Sequence, residues 1–323
     1  MAEKILITGG TGFVGSHLRE ELDRRSIPYA AFSRAEGDLR RAPEADALFR
    51  EHCNATIVLH LASFQAAGDF PGRFPADQFH SNHLIHVNVL RAWQAHLPGA
   101  RFVGVGSSCA YPGADDHLVE DRILAGASHG SVFSYAATKR ALLIGIEAYN
   151  DQYGLDGSYV IPPTLFGEGD DFHSETAHVV GALVGRIVRA VRERASPVEI
   201  WGDGTQVREF LYVKDFVTAL LHVAERCHRD VVNVGPGRGT SIRELAETIS
   251  TAAGYRGELV FNPQRYTGIR EKVLDTTKLA RKYGTTLTSN PRPGIERTVH
   301  WYEDNYERLK DRRKFGDSEH ALA

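Results

Sequence analysis

The apolar run Lys4-Ile5-Leu6-Ile7-Thr8 passes straight into Gly9-Gly10-Thr11-Gly12-Phe13-Val14-Gly15, and the segment 16–25 then carries Leu18 and Leu22 one helical turn apart. No other segment constrains the fold as much. A strand that enters a helix through spaced glycines implies a parallel sheet with its first helix packed close. Glycine permits the tight turn, the approach of a diphosphate to the backbone, and the short helix–strand distance. The first N–H groups of such a helix favour an anion. Gly9, Thr11, Gly12, Phe13, Val14 and Gly15 are therefore candidates for holding a dinucleotide.

The same alternation continues downstream. Short apolar runs at 29–32, 56–61, 101–105 and 157–161 alternate with helical patterns at 79–96 and 134–153. This predicts an α/β chain with a Rossmann-type doubly wound parallel sheet. After Pro162-Pro163 the character changes. The stretch 162–178 is rich in Gly, Asp and His, and 178–194 repeats Val180, Leu183, Val184, Ile187 and Val191 at helical spacing. Short strands are expected at 199–201 and 208–212, a helix at 215–226, a strand at 231–234, and a helix start at Ser241, with Glu244 in the capping-box position. The expected division is a dinucleotide-binding domain mainly over 1–162 and a smaller C-terminal α/β substrate domain mainly over 163–323. A segment near 212–240 is expected to return to the first core.

Composition narrows the function classes. Lys and Arg number 38 against 41 Asp and Glu, so nothing suggests a nucleic-acid surface. The three cysteines, Cys53, Cys109 and Cys227, lack metal-ligand spacing, and an odd count argues against a disulfide scaffold. No metal is expected. No leader-like start or bilayer-length apolar run is seen, so a cytoplasmic protein without a membrane partner is expected.

The second strand ends Phe32-Ser33-Arg34, without an acid at its tip to bind a ribose diol. Arg34 suits a 2′-phosphate, which favours NADP(H) over NAD. Asp38, ahead of Leu39, reads either as an acceptor for the adenine amino group or as a turn cap. Leu61 and Ala62 end the third strand and complete the expected cofactor wall. Tyr135 and Lys139 share one face of a helix. An ammonium beside the phenol would lower its pKa and let it exchange a proton with a carbonyl or alcohol. Ser107 or Ser108 would hydrogen-bond the same oxygen. Cys109 reads as a second acid–base group or as a small packing residue. His178 reads as a proton donor or as a helix-capping residue.

These motifs together resemble the extended short-chain dehydrogenase/reductase family. Within it the chain is similar to the enzymes that epimerise and reduce GDP-linked 4-keto-6-deoxy sugars. The likeness runs through Gly106-Ser107-Ser108-Cys109-Ala110-Tyr111-Pro112, Tyr135-Ala136-Ala137-Thr138-Lys139, Trp201-Gly202-Asp203-Gly204-Thr205, Arg208-Glu209-Phe210 and Lys272-Val273-Leu274-Asp275. The resemblance implies that Cys109 and His178 form the epimerising pair, and that Arg186, Arg208 and Lys272 hold the diphosphate or sugar, with Trp201 over the base. It implies a nucleotide diphosphate sugar as substrate, a GDP-sugar being favoured, and a homodimer formed through the 80–96 and 134–152 helices. A 4-reductase or single-centre epimerase of a related keto sugar is the alternative, and a non-catalytic NADP-binding protein is a further one. The chain departs from this pattern at Gly9-Gly10-Thr11-Gly12, at Ser63-Phe64-Gln65-Ala66-Ala67-Gly68 and at Pro162-Pro163-Thr164.

Overall fold

The computed structural model describes residues 4–311 except 66, 69, 114–117, 174–175 and 266–267. Strands β1 (Ile5–Thr8), β2 (Tyr29–Phe32), β3 (Ile57–His60), β4 (Arg101–Val105) and β5 (Gly157–Ile161) join Val231–Asn233 in a six-stranded sheet. The order across the sheet is Val231–Asn233, β5, β4, β3, β1, β2, and every neighbouring pair is parallel. Parallel pairing needs crossovers, and the helices that supply them cover both faces. They are α1 (Phe13–Arg24), α2 (Ala42–Glu51), the short α3 (Phe70–Arg73), α4 (Pro75–His96) and α5 (Phe133–Tyr153). Leu6, Val58 and Phe102 face one way and pack on Trp93 of α4 and Leu142 of α5. Ile7, Leu59 and Val103 face the other way, against Leu18 and Leu22 of α1 and Phe216 and Leu220 of α7 (Val213–Ala224).

Several helices differ from the sequence pattern, two of them in the first core. α4 starts at Pro75 rather than 79, because proline is preset for the first helical turn, where its missing N–H is no loss. α2 had no periodic signal strong enough to predict it, yet it buries Ala45, Leu48 and Phe49.

A third core lies in the C-terminal half. It joins Val180, Leu183, Val184 and Ile187 of α6 (Val179–Glu193) to Leu245, Ala246 and Ile249 of α8 (Ile242–Ala252) and to Ile295 and Val299 of Arg292–Asp304. Ser241 caps α8, its hydroxyl accepting from the Glu244 N–H at 3.1 Å. Among the described residues no helix is long and apolar enough to cross a membrane, and no cluster of His, Cys, Asp and Glu stands ready for a metal. The strand order reverses between β1 and β3, which opens a crevice beyond the C-terminal ends of those strands.

Candidate active site

A cavity of about 640 Å³ fills this crevice. Gly9, Thr11, Gly12, Phe13, Val14, Gly15, Arg34, Asp38, Leu39, Leu61 and Ala62 line it, and so do Ser107, Ser108, Cys109, Tyr135, Lys139 and His178. Two glycines set the turn. Gly9 has φ +75°, and a Cβ there would stand 2.8 Å from the Ala62 nitrogen. A Cβ on Gly15 would lie 2.2 Å from the Gly9 carbonyl oxygen. The helix follows Gly12, which has no side chain to cap its first turn. The turn therefore fits a diphosphate at the N-terminus of α1.

The rim of the adenosine end is more heavily paired than the sequence suggests. Glu36 folds back onto the tip of β2, where its carboxylate accepts from the Ser33 N–H at 2.7 Å and the Ser33 hydroxyl at 2.5 Å. An acid does stand at that tip, contrary to expectation, but it is committed to the turn and does not line the cavity. Asp38 accepts from the Arg40 backbone N–H at 3.0 Å and from the Arg40 guanidinium at 2.6 Å. That hydrogen-bonded guanidinium outweighs partial burial and holds the Asp38 carboxyl below its usual range. Arg40 also lines the cavity beside Arg34, a residue that sequence reasoning missed.

At the reacting end, β4 delivers Ser107 to Cys109 and α5 delivers Tyr135 and Lys139. Tyr135 is 8 % exposed. Burial raises its pKa above the ordinary phenol range, and negative charge on Cys109 adds to this, while hydrogen bonds from Ser63 and Ser107 oppose it. The expected effect of Lys139 on the phenol is not what this arrangement gives. The Lys139 ammonium donates to the Val105 carbonyl at 2.9 Å and stands 5.8 Å from the Tyr135 ring centre. Burial itself brings Lys139 down to about 8. The strand-end carbonyl competes for the ammonium, so spacing on the helix alone did not settle the pair.

Cys109 has a partner from the other half of the chain. The Lys272 ammonium donates to its sulfur at 3.3 Å. Burial opposes ionisation of this thiol, but the Lys272 charge, hydrogen bonds from Ser107 and Lys272, and the Arg208 charge together bring its pKa below the ordinary thiol value. His178 stands at the head of α6 with extended backbone (φ −65°, ψ 162°), and its Nε2 lies 3.3 Å from the Gln65 amide nitrogen. The remaining candidates sit away from the cavity lining. Arg186 donates to the Glu199 carbonyl at 2.5 Å and lies 5.8 Å from the Trp201 ring centre, with Arg265 at 5.5 Å from the same ring. Arg208 donates to the Val207 carbonyl at 2.8 Å. Ser63 and Gln65 were not singled out from sequence as site residues; their position just beyond β3 was the available signal.

A glycine-built dinucleotide turn and a Ser/Tyr/Lys group on one edge of a parallel sheet define a dinucleotide-dependent redox enzyme of the extended short-chain dehydrogenase/reductase type. The chain belongs to the NAD dependent epimerase/dehydratase family, whose family model matches residues 5–235. It is 32% identical over 322 residues to the GDP-L-fucose synthase of Escherichia coli K12, covering 95% of this chain and 99% of that one. It is 27% identical over 303 residues to the GDP-L-colitose synthase of Yersinia pseudotuberculosis, covering 93% of this chain and 97% of the relative. Among solved structures, the GDP-L-fucose synthetase of Naegleria fowleri bound to NADP superimposes with a TM-score of 0.85 at 26% identity, over 95% of this chain and 96% of the other.

Proposed function

We propose that this protein is an NADPH-dependent epimerase/reductase that converts GDP-4-keto-6-deoxy-D-mannose to GDP-L-fucose, inverting C3 and C5 and reducing C4. The observation that carries this reading is that Cys109, which accepts from the Lys272 ammonium, lines the same cavity as His178, Ser107 and Tyr135. A plain reductase has no use for an activated thiol beside its carbonyl-binding group. The 4-keto group acidifies the hydrogens on both neighbouring ring carbons. Cys109, as thiolate, takes such a proton and becomes a thiol. The Ser107 and Tyr135 hydroxyls stabilise the enolate oxygen. The protonated imidazole of His178 delivers a proton to the opposite face, re-forming the C–H bond and leaving a neutral ring. Before the second inversion Cys109 returns its proton to solvent and His178 takes one back from solvent.

For the final reduction, Tyr135 gives its proton to the C4 oxygen. Bound NADPH supplies hydride chemistry at this site. Gly9, Gly12 and Gly15 would hold its diphosphate, and Arg34 with Arg40 its 2′-phosphate, the cationic fork suiting that group. Lys139 would orient the ribose. The division of labour follows the chain, with 1–162 mainly serving the cofactor, 163–323 mainly the GDP-sugar, and the segment near 212–240 returning to the sheet. Arg186, Arg208 and Lys272 would hold the diphosphate sugar, Lys272 doing so while it activates Cys109, and Trp201 would cover the base. A homodimer through α4 and α5 belongs to this reading, because Phe79, Val87, Ile144 and Tyr153 leave apolar surface exposed on those helices.

The test is product analysis with GDP-4-keto-6-deoxy-D-mannose and NADPH. The product should be GDP-L-fucose, and Tyr135→Phe should slow C4 reduction by roughly 10²–10⁴-fold. A product reduced at C4 with C3 and C5 unchanged contradicts the proposal.

A further inference from the structure

A loop just beyond β3 that departs from the family pattern reaches the proposed proton donor, His178. Gln65 brings its carboxamide nitrogen to 3.3 Å from His178 Nε2. A second tie joins the same two segments, the Ala67 N–H donating to the Thr176 carbonyl at 2.8 Å. The backbone that presents Gln65 is itself fixed. The buried Asn82 of α4 accepts from the Phe64 N–H at 2.8 Å and the Ser63 hydroxyl at 3.0 Å, and donates to the Phe64 carbonyl at 2.9 Å. Phe64 also packs edge-on against Phe70 at 5.4 Å. From α4 to the imidazole there is thus a continuous path of hydrogen bonds and packing that ends on one side chain.

We propose that Gln65 is a positioning residue for His178, holding the imidazole at one angle to the sugar through its whole proton-transfer cycle. This rests on the epimerase reading above. A general acid works through its geometry, and small angular errors slow proton transfer to carbon. His178 changes charge during each inversion. The nitrogen that faces Gln65 is Nε2, so the proton that reaches the sugar leaves from Nδ1, and Nε2 keeps its N–H in both charge states. The Gln65 carboxamide accepts from that N–H through its oxygen after a half-turn of its terminal bond. A carboxylate would also accept but would favour the charged ring, and a lysine would offer only donors. Glutamine therefore keeps the ring aligned without favouring either charge state.

The experiment compares the wild type, Gln65→Leu and Gln65→Glu with the 4-keto sugar in D₂O. Deuterium wash-in and completed inversion are followed separately, beside the NADPH dissociation constant. Gln65→Leu should lower inversion by about tenfold, while wash-in through Cys109 and NADPH binding persist. Cys109 then removes and returns hydrons on one face without a well-placed donor on the other. Gln65→Glu keeps the acceptor and should invert faster than Gln65→Leu. Inversion and wash-in falling together, or equal inversion in all three proteins, would overturn the positioning role. A wild type with neither wash-in nor inversion overturns the epimerase reading itself, and this inference with it.

Discussion

Cys109 and Lys272 are 163 positions apart in sequence and 3.3 Å apart in the fold. That single contact turns a small residue after a strand into a candidate base. The cysteine was legible as an anomaly, since it follows Ser107 by two positions and a packing role would not require a thiol. Its activation was not legible, because nothing local links it to Lys272; the lysine entered through resemblance, as a residue for the substrate. The same limit applies to Asp38, whose commitment to Arg40 follows from how the turn folds. If Lys272 holds the thiol pKa down, Lys272→Met must raise it and reduce the thiolate fraction at neutral pH. Alkylation of Cys109 by iodoacetamide at pH 7, read on its own peptide, should slow by about tenfold, the effect of roughly one pKa unit. Unchanged alkylation would mean that Lys272 serves the substrate and not the thiol.

At the scale of elements, strands and helices with strong periodicity were readable and paired ones were less so. β1, β3, β4 and β5 are short apolar runs buried on both faces, which leaves little else for them to be. α2 was hidden because Arg41, Glu44, Arg50 and Glu51 surround the few apolar positions it buries. The β1–α1 turn shows why its glycines were the strongest signal. At Gly15 the requirement is close contact and not an unusual φ, since the helix backbone lies against the turn that enters it. Gly15→Ala would place a methyl 2.2 Å from the Gly9 oxygen, so α1 must shift away from the sheet. Overpacking of this kind costs about 1–3 kcal/mol. The predicted result is weaker NADPH binding by calorimetry together with a lower unfolding temperature. Full NADPH affinity in Gly15→Ala would remove this turn from the cofactor site.

Across the whole molecule, the parallel sheet and its covering helices followed from the alternating pattern. The interior also holds something the pattern did not reveal. The Thr8 hydroxyl lies 2.7 Å from His60 Nδ1, and His60 Nε2 lies 2.8 Å from His86 Nδ1. Burial, with the Lys139 charge nearby, brings His60 from 6.5 down to about 3, and burial likewise holds His86 far below its ordinary value. The folded state then binds fewer protons than the unfolded chain once the pH drops below 6.5. The stability from these neutral rings is present above that pH and is lost as the pH falls toward 3. Each ring adds a slope of at most about 1.4 kcal/mol per pH unit. Urea unfolding between pH 7.5 and 4.5 should show a shallower loss for His86→Gln than for the wild type, and equal slopes would contradict the assignment. In another long-range assembly, Cys109, which follows β4, lines one cavity with His178 from the head of α6, and Lys272 from the C-terminal half donates to the Cys109 sulfur. The direct measurement is hydrogen exchange at C3 and C5 of the 4-keto sugar in D₂O without NADPH. The wild type should place deuterium at both carbons, and Cys109→Ser should lose most of it while still reducing the ketone slowly when NADPH is added. Turnover of the sugar by the wild type with no solvent deuterium at either carbon would contradict the account and leave a plain reductase.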